Sequence, residues 1–336
     1  MSEPGSSVDV RGFIVGTSRG GTTFMSKVLN VHADVVSFGE SAYFGRVWQE
    51  PAGNNGRLSV EQTTRLLNGF KTSRWGPERG DVGVLPDWVG LSHERWTTLL
   101  DRLFDETGLL QREAEPNEPF DLLCRAMAEA AGKRVVIEKT PHHLGVTDRI
   151  ERFYPGARYV LMLREPYAFI RSYKNQGRQL GERSRKLASE IYHPIAAALL
   201  WRGYAKQALA LLQRAPDRTL RVSLDAIRQD EVGTLEAVQD HLGLDVIDLA
   251  GVVQPDNSST QGGADELDAG EVWWINRVAG PTIEAAGFER RDTSFGPKAA
   301  GYAAKFPVWS LRYVARQRKS VHGSFAKHVM RFLRPK

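Results

Sequence analysis

Cysteine is almost missing from this chain of 336 residues. The single Cys124 excludes an intramolecular disulfide and any multi-cysteine metal centre, and it fits a reducing compartment. No apolar run approaches the roughly 20 residues that a spanning helix needs, which argues against a transmembrane protein. The opening MSEPGSSVDV has neither a basic stretch nor an apolar core, so no secretory signal is expected and a cytoplasmic location is. Internal repeats and low-complexity tracts are missing as well. Acidic residues are absent from Lys298 to Lys336, where ten Lys and Arg fall, leaving 35 basic and 40 acidic residues elsewhere. The body is therefore not basic, and no recognition motif accompanies the charge of the tail, so no nucleic-acid partner is expected.

What is present is a globular composition. Hydrophobic residues at 41% and charged residues at 25% exclude a disordered or fibrous chain. Residues 1–10 read as a flexible leader. Gly12–Gly16, Val35–Phe38, Arg134–Glu138, Arg158–Leu163 and Thr219–Val222 are short apolar runs bounded by turns, as strands covered on both faces should be. Between them lie helical patterns at Thr22–Asn30 and at about 91–106, 119–131, 143–153, 166–177, 191–212 and 231–242. Such alternation predicts an α/β fold with a mostly parallel central sheet. Residues 45–90, rich in glycine and proline and holding Trp75 and Trp88, read as an irregular insertion over the site. Residues 254–263 (QPDNSSTQGG) read equally as a mobile loop or an ordinary linker.

The stretch GTSRGGTT at 16–23 has the glycine spacing of a P-loop, G-x-x-x-x-G, between a strand and a helix. Glycines let successive backbone N–H groups converge on an anion, and the helix N-terminus adds a favourable dipole. Arg19, Gly20, Gly21, Thr22 and Thr23 are the expected anion-binding residues. A nucleoside triphosphate loop normally continues Gly-Lys-Ser/Thr, with the lysine on the β/γ-phosphates and the hydroxyl on magnesium. Here Thr22 stands at the lysine position and the cation, Arg19, is inside the loop. That exchange suits a less highly charged group, such as a phosphosulfate.

This loop resembles the 5′-phosphosulfate-binding loop of the sulfotransferases that use 3′-phosphoadenylyl sulfate (PAPS). The stretch YVLMLREPYAFIRSY at 159–173 is similar to the family's second motif, in which Arg164 at a strand end and Ser172 in the next helix hold the 3′-phosphate. The resemblance implies a P-loop NTPase-like three-layer fold with helical insertions. It sets a sulfotransferase domain over 11–295, followed by a basic amphipathic helical extension over 296–336. The implied activity is sulfuryl transfer from PAPS to a hydroxyl-bearing acceptor, whether carbohydrate, lipid-linked or small molecule, with no metal. A P-loop kinase using ATP and magnesium is the alternative, with Glu138 at a strand end as its metal-binding acid.

The resemblance also implies catalytic residues. Glu40, in SFGESAYF, stands where glycosaminoglycan and protein-tyrosine sulfotransferases carry a catalytic glutamate acting as general base. A carboxylate with an ordinary pKa of about 4.3 would need burial to serve as one. Lys139, in VIEKTPHHL, matches the family lysine that contacts the phosphosulfate and would neutralise charge on the leaving oxygen. His142 and His143 are rival bases, since an imidazole titrates near neutrality. In the stretch RVSLDAI, Leu224 replaces a family tyrosine that contributes to the cofactor site.

The tail interleaves aromatics with Lys and Arg over 305–334. Phe306, Trp309 and Tyr313 fit one helix face, and Phe325, Val329 and Phe332 another. Two readings stand: a docked helix with a solvated basic face, or an interfacial helix making peripheral contact with an anionic membrane.

Overall fold

The computed structural model describes residues 8–45, 47–48, 56–72, 85–175, 190–253 and 266–319, the last four by backbone alone. Five strands form one parallel sheet: β1 (Asp9–Gly16), β2 (Val35–Gly39), β3 (Val135–Lys139), β4 (Arg158–Met162) and β5 (Thr219–Val222), in the order β2-β3-β1-β4-β5. β1 starts at Asp9, ahead of the apolar run, because Asp9 and Val10 pair with Val135 and Val136. The chain leaves β1 for one side of the sheet and later crosses to the other. The carboxyl ends flanking β1 therefore form a topological switch point, where ligands of open α/β sheets bind.

The unbroken apolar runs have the expected cause. Phe13 and Val15 point into one core with Phe38, Val136, Tyr159 and Leu161, whereas Ile14 points into a second core with Val35, Ile137, Val160 and Met162. On the second face lie α1 (Thr22–Leu29), through Phe24, Met25 and Val28, and residues 224–242, through Ile227, Leu235 and Val238. The opposite face is covered by α2 (Val60–Thr72), α3 (His93–Thr107), α4 (Glu118–Ala131) and the long helices α7 (Pro194–Arg214) and α10 (Ala269–Ala285). The result is a three-layer α/β/α fold. The shorter helices are α5 (Thr147–Phe153), α6 (Pro166–Lys174), α8 (Leu224–Gln229) and α9 (Glu231–His241).

Two elements differ from the sequence reading. The region read as irregular holds α2, and its start is signed by a capping box: Ser59 N–H donates to Gln62 Oε1 (2.8 Å) and Gln62 N–H to Ser59 Oγ (3.2 Å). Residues 141–146 are a 3-10 turn, with α5 beginning only at Thr147, because Thr140 is extended and Pro141 opens the turn. Trp75, the 254–263 segment and residues 320–336 lie outside the described residues.

The last helix among the described residues, α11 (Pro297–Lys319), stacks Phe306 on Trp309 and Trp309 on Tyr313, with ring centroids 5.9 and 5.0 Å apart. That face meets His193, and Trp309 Nε1 donates to the Glu190 carbonyl (3.2 Å). Among the described residues no helix is long and apolar enough to cross a membrane. Cys124 is fully buried, and burial, then the charges of Asp121 and Glu138, push its thiol pKa up.

Phe13 is enclosed by Phe44, Phe120, His143, Tyr154 and Tyr159 at 5.9–6.4 Å between centroids. Phe13→Ala should cost about 3–5 kcal/mol of unfolding free energy, read from the shift of a urea denaturation midpoint.

Candidate active site

The loop after β1 is built by constraint at each step. Gly16 has φ of 143°, and a Cβ there would run into the Met162 carbonyl of the neighbouring strand. Thr17 N–H donates to that carbonyl (2.9 Å), and Gly20 N–H donates to the carbonyl of Thr17 (3.0 Å), which closes the loop. Gly21, with φ of 93°, opens α1, and no side chain caps the helix. The first-turn N–H groups thus face the loop without intrahelical acceptors.

Lys139 ends β3 between β2 and β1, paired with Gly39 on one side and Ile14 on the other. Its side chain is 3% exposed, yet its ammonium lies 3.1 Å from Glu40 Oε1 and 3.3 Å from Thr23 Oγ1. The Trp88 ring covers it, its centroid 5.8 Å from Nζ. Gly39 makes room, since a Cβ there would meet Trp88 at 2.5 Å and the lysine Nζ at 3.1 Å. Glu40 follows β2 with φ of 44° and donates its N–H to the Lys139 carbonyl (2.8 Å). The burial that a general base at Glu40 would need is only partial: its side chain is 45% exposed, although its partner Lys139 is enclosed.

Behind this pair lies an enclosed network. Glu138, with no solvent exposure, accepts from Ser41 Oγ (2.7 Å), Ser41 N–H (3.2 Å) and Thr140 Oγ1 (2.5 Å). Its other oxygen is 2.9 Å from His143 Nδ1. His143 Nε2 accepts the Phe44 N–H (3.2 Å), so the ring proton sits on Nδ1, facing Glu138. Thr140 Oγ1 accepts the Ala42 N–H (3.1 Å). Burial alone would raise the Glu138 pKa, but His143, Thr140 and Ser41 outweigh it and hold the carboxyl below its ordinary range. Glu138 and His143 therefore brace the turn at 41–44 and do not reach the sheet edge.

On the other side of the loop, Arg19 adopts φ of 64° and its Nε donates to Ser172 Oγ (3.1 Å). Arg164 Nη1 donates to the Arg19 carbonyl (2.6 Å), and its N–H to Thr17 Oγ1 (3.2 Å). Trp201 Nε1 secures the Arg164 carbonyl (2.9 Å). Burial, and then the charges of Arg19 and Arg228, pull the Arg164 pKa down to about 10. A half-enclosed guanidinium among like charges is a place where an anion is stabilised.

The structure thus brings Arg19, Gly20, Gly21, Thr22, Thr23, Glu40, Lys139, Arg164 and Ser172 to one edge of the sheet. His142 also lies there, with Nδ1 2.8 Å from the Tyr204 hydroxyl and Ser18 Oγ 2.9 Å from that hydroxyl. Tyr204 carried no signal in the sequence reading, since it reaches Ser18 from a distant segment, whereas Trp88, named there in the segment over the site, lies against Lys139. Leu224 seats on Gly21, where a Cβ would come within 2.5 Å of it. Among the described residues, no three His, Cys, Asp or Glu side chains gather as a metal-binding group.

These features define an α/β protein with a glycine-rich loop, flanked by a lysine–glutamate pair and an arginine cluster, at the switch point of a parallel sheet. The sequence matches the profile of the sulfotransferase family over residues 13–248, more than two thirds of the chain, and the protein belongs to that family. It is 48% identical over 46 residues to the nodulation protein NoeE of Sinorhizobium fredii, a match spanning 14% of this chain and 11% of that protein. Among solved structures, the sulfotransferase domain of the curacin biosynthetic pathway aligns over 90% of this chain and 99% of its own, at 14% identity and a TM-score of 0.48. The sulfotransferase domain of the Synechococcus PCC 7002 olefin synthase aligns over 91% and 98%, at 16% identity and 0.45. Sulfotransferase STF9 of Mycobacterium avium aligns over 84% and 78%, at 14% identity and 0.45.

The depressed Glu138 pKa has a consequence for stability. Its folded-state pKa lies below the ordinary 4.5, so the stability it contributes is complete above 4.5 and is lost as the pH falls through the lower native value. Urea midpoints measured from neutral pH downwards should fall more steeply in the wild type than in Glu138→Gln once the pH drops below that point. Parallel curves would remove the carboxylate from this role.

Proposed function

We propose that the protein is a PAPS-dependent sulfotransferase, moving a sulfuryl group to the hydroxyl of an acceptor. The observation that carries this reading is the position of Lys139, whose ammonium is within hydrogen-bonding distance of both the phosphate loop, at Thr23, and Glu40. One anion cradle, one cation and one carboxylate thereby share a sheet edge. PAPS supplies the sulfuryl group, and adenosine 3′,5′-bisphosphate is the product released.

The residues fit such a donor. Gly20, Gly21, Thr22 and Thr23 offer N–H and hydroxyl donors at the start of α1, and Arg19 adds a charge that a sulfate or phosphate oxygen can neutralise. Arg164, held by Thr17 and Trp201 in a place short of counter-charge, would take the 3′-phosphate with Ser172. Lys139 would hold the oxygen on which negative charge builds as the donor bond breaks, acting as a preorganised electrostatic stabiliser. Glu40, nearly half exposed until donor and acceptor cover it and exclude water, would then take the proton from the acceptor hydroxyl. His143 cannot share this work, since both its ring nitrogens are engaged inside the fold. The kinase reading is weakened for a similar reason, because Glu138 is fully buried and turned towards Ser41, Thr140 and His143. We further assign the sulfotransferase domain to 11–295 and a separate extension to 296–336.

Arg164→Ala should weaken binding of adenosine 3′,5′-bisphosphate by about 1.5–3 kcal/mol, measured by isothermal titration calorimetry. Unchanged affinity would count heavily against the donor assignment. Acceptors are sought by incubating the protein with labelled donor and a fractionated host extract, followed by mass identification of the sulfated product. In that assay Glu40→Ala should lower turnover by about 10²–10⁴-fold while bisphosphate affinity holds. Activity should persist in EDTA; loss on chelation, restored by magnesium, would favour the ATP-dependent alternative.

A further inference from the structure

The outward side of α11 is apolar. Tyr302, Phe306, Trp309 and Tyr313 face inwards, and Trp309 is tied to Glu190. On the far side, Ala304, Pro307, Val308, Leu311, Val314 and Ala315 are all exposed. At 3.6 residues per turn these six fall within about 120° of the helix circumference, opposite the docked aromatics. Leu311 is 73% exposed, with Val308 and Val314 near half. A soluble helix docked by one face normally turns charge to water on the other. Here two of the described charges, Lys305 and Arg312, lie along one margin of the apolar strip.

We infer that this face is a membrane-docking surface, whose partner is a bilayer carrying anionic phospholipid. Charge complementarity selects that partner. From residue 298 onwards the sequence holds ten cations and no carboxylate, and two of those cations, Lys305 and Arg312, flank the strip. A second copy of the chain would bring the same ten cations against the first, with no acid to offset them. An anionic leaflet instead receives the apolar strip among its acyl chains and the cations at its headgroups. The surface involves neither the phosphate loop nor Glu40, so it stands or falls separately from the donor reading.

Flotation of the full-length protein with phosphatidylcholine vesicles, with and without phosphatidylserine, tests this. Binding is expected only with phosphatidylserine, and should weaken as salt is raised. Leu311→Asp and Val308→Asp should each reduce it by about tenfold or more, since an apolar anchor is replaced by a charge the leaflet repels. Thermal unfolding followed by circular dichroism should leave both variants near the wild-type midpoint, because both side chains are more than half exposed. Absence of binding at low salt, equal binding to phosphatidylcholine alone, or undiminished binding by both variants would each overturn the assignment. So would a dimer in sedimentation velocity that Leu311→Asp dissolves, which would give the face to a second copy.

Discussion

An ammonium group enclosed by protein is costly unless charge and hydrogen-bond acceptors are brought to it, and Lys139 is enclosed on all sides but one. Its partners come from three parts of the chain: the Thr23 hydroxyl, the Glu40 carboxylate and the face of Trp88. Only a strand lying between β1 and β2 can supply that lysine to both neighbours at once. The sheet order, in which β3 returns to the gap left between them, is thus tied to the chemistry at its edge. The same order places β4 on the far side of β1, so that Arg164 meets the loop from the opposite direction.

Strain is concentrated at the same edge. Among the described residues three that are not glycine adopt positive φ: Arg19, Glu40 and Ala42. Such backbone costs on the order of 1–3 kcal/mol per residue and persists only where surrounding contacts over-determine it. For Glu40 and Ala42 those contacts are the Lys139 carbonyl, Thr140 and the buried Glu138–His143 pair. Arg19 is held by Ser172 and, through its carbonyl, by Arg164. The pairs that fix the loops thus overlap with those proposed to hold the donor, and pre-organisation of the two loops comes from one set of bonds.

Much of the sheet was legible because a strand covered on both faces leaves an unbroken apolar run, as at Phe13–Val15 and Val160–Met162. The glycine-rich turn after β1 and the placement of Lys139 and Arg164 at strand ends were legible for another reason: each is a local spacing tied to a strand end. What could not be read depends on pairings between distant segments. Ser18 and Tyr204 are 186 residues apart, and Phe44 and His143 are 99 apart. No local pattern records that His143 points inwards while His142 points to the loop. Helix α2 escaped notice despite its Ser59–Gln62 capping box, because the surrounding glycines and prolines dominate the composition there. Nor does a local pattern record that Glu40 stays nearly half exposed while its partner Lys139 is enclosed.

The lone thiol of Cys124 has a practical consequence. It is shut inside the helical layer, and its raised pKa keeps it from forming the reactive thiolate at neutral pH. Alkylating and maleimide reagents will therefore leave the native fold unmodified. A cysteine introduced at an outward position becomes the only site for a fluorophore or spin label, without first deleting the natural one.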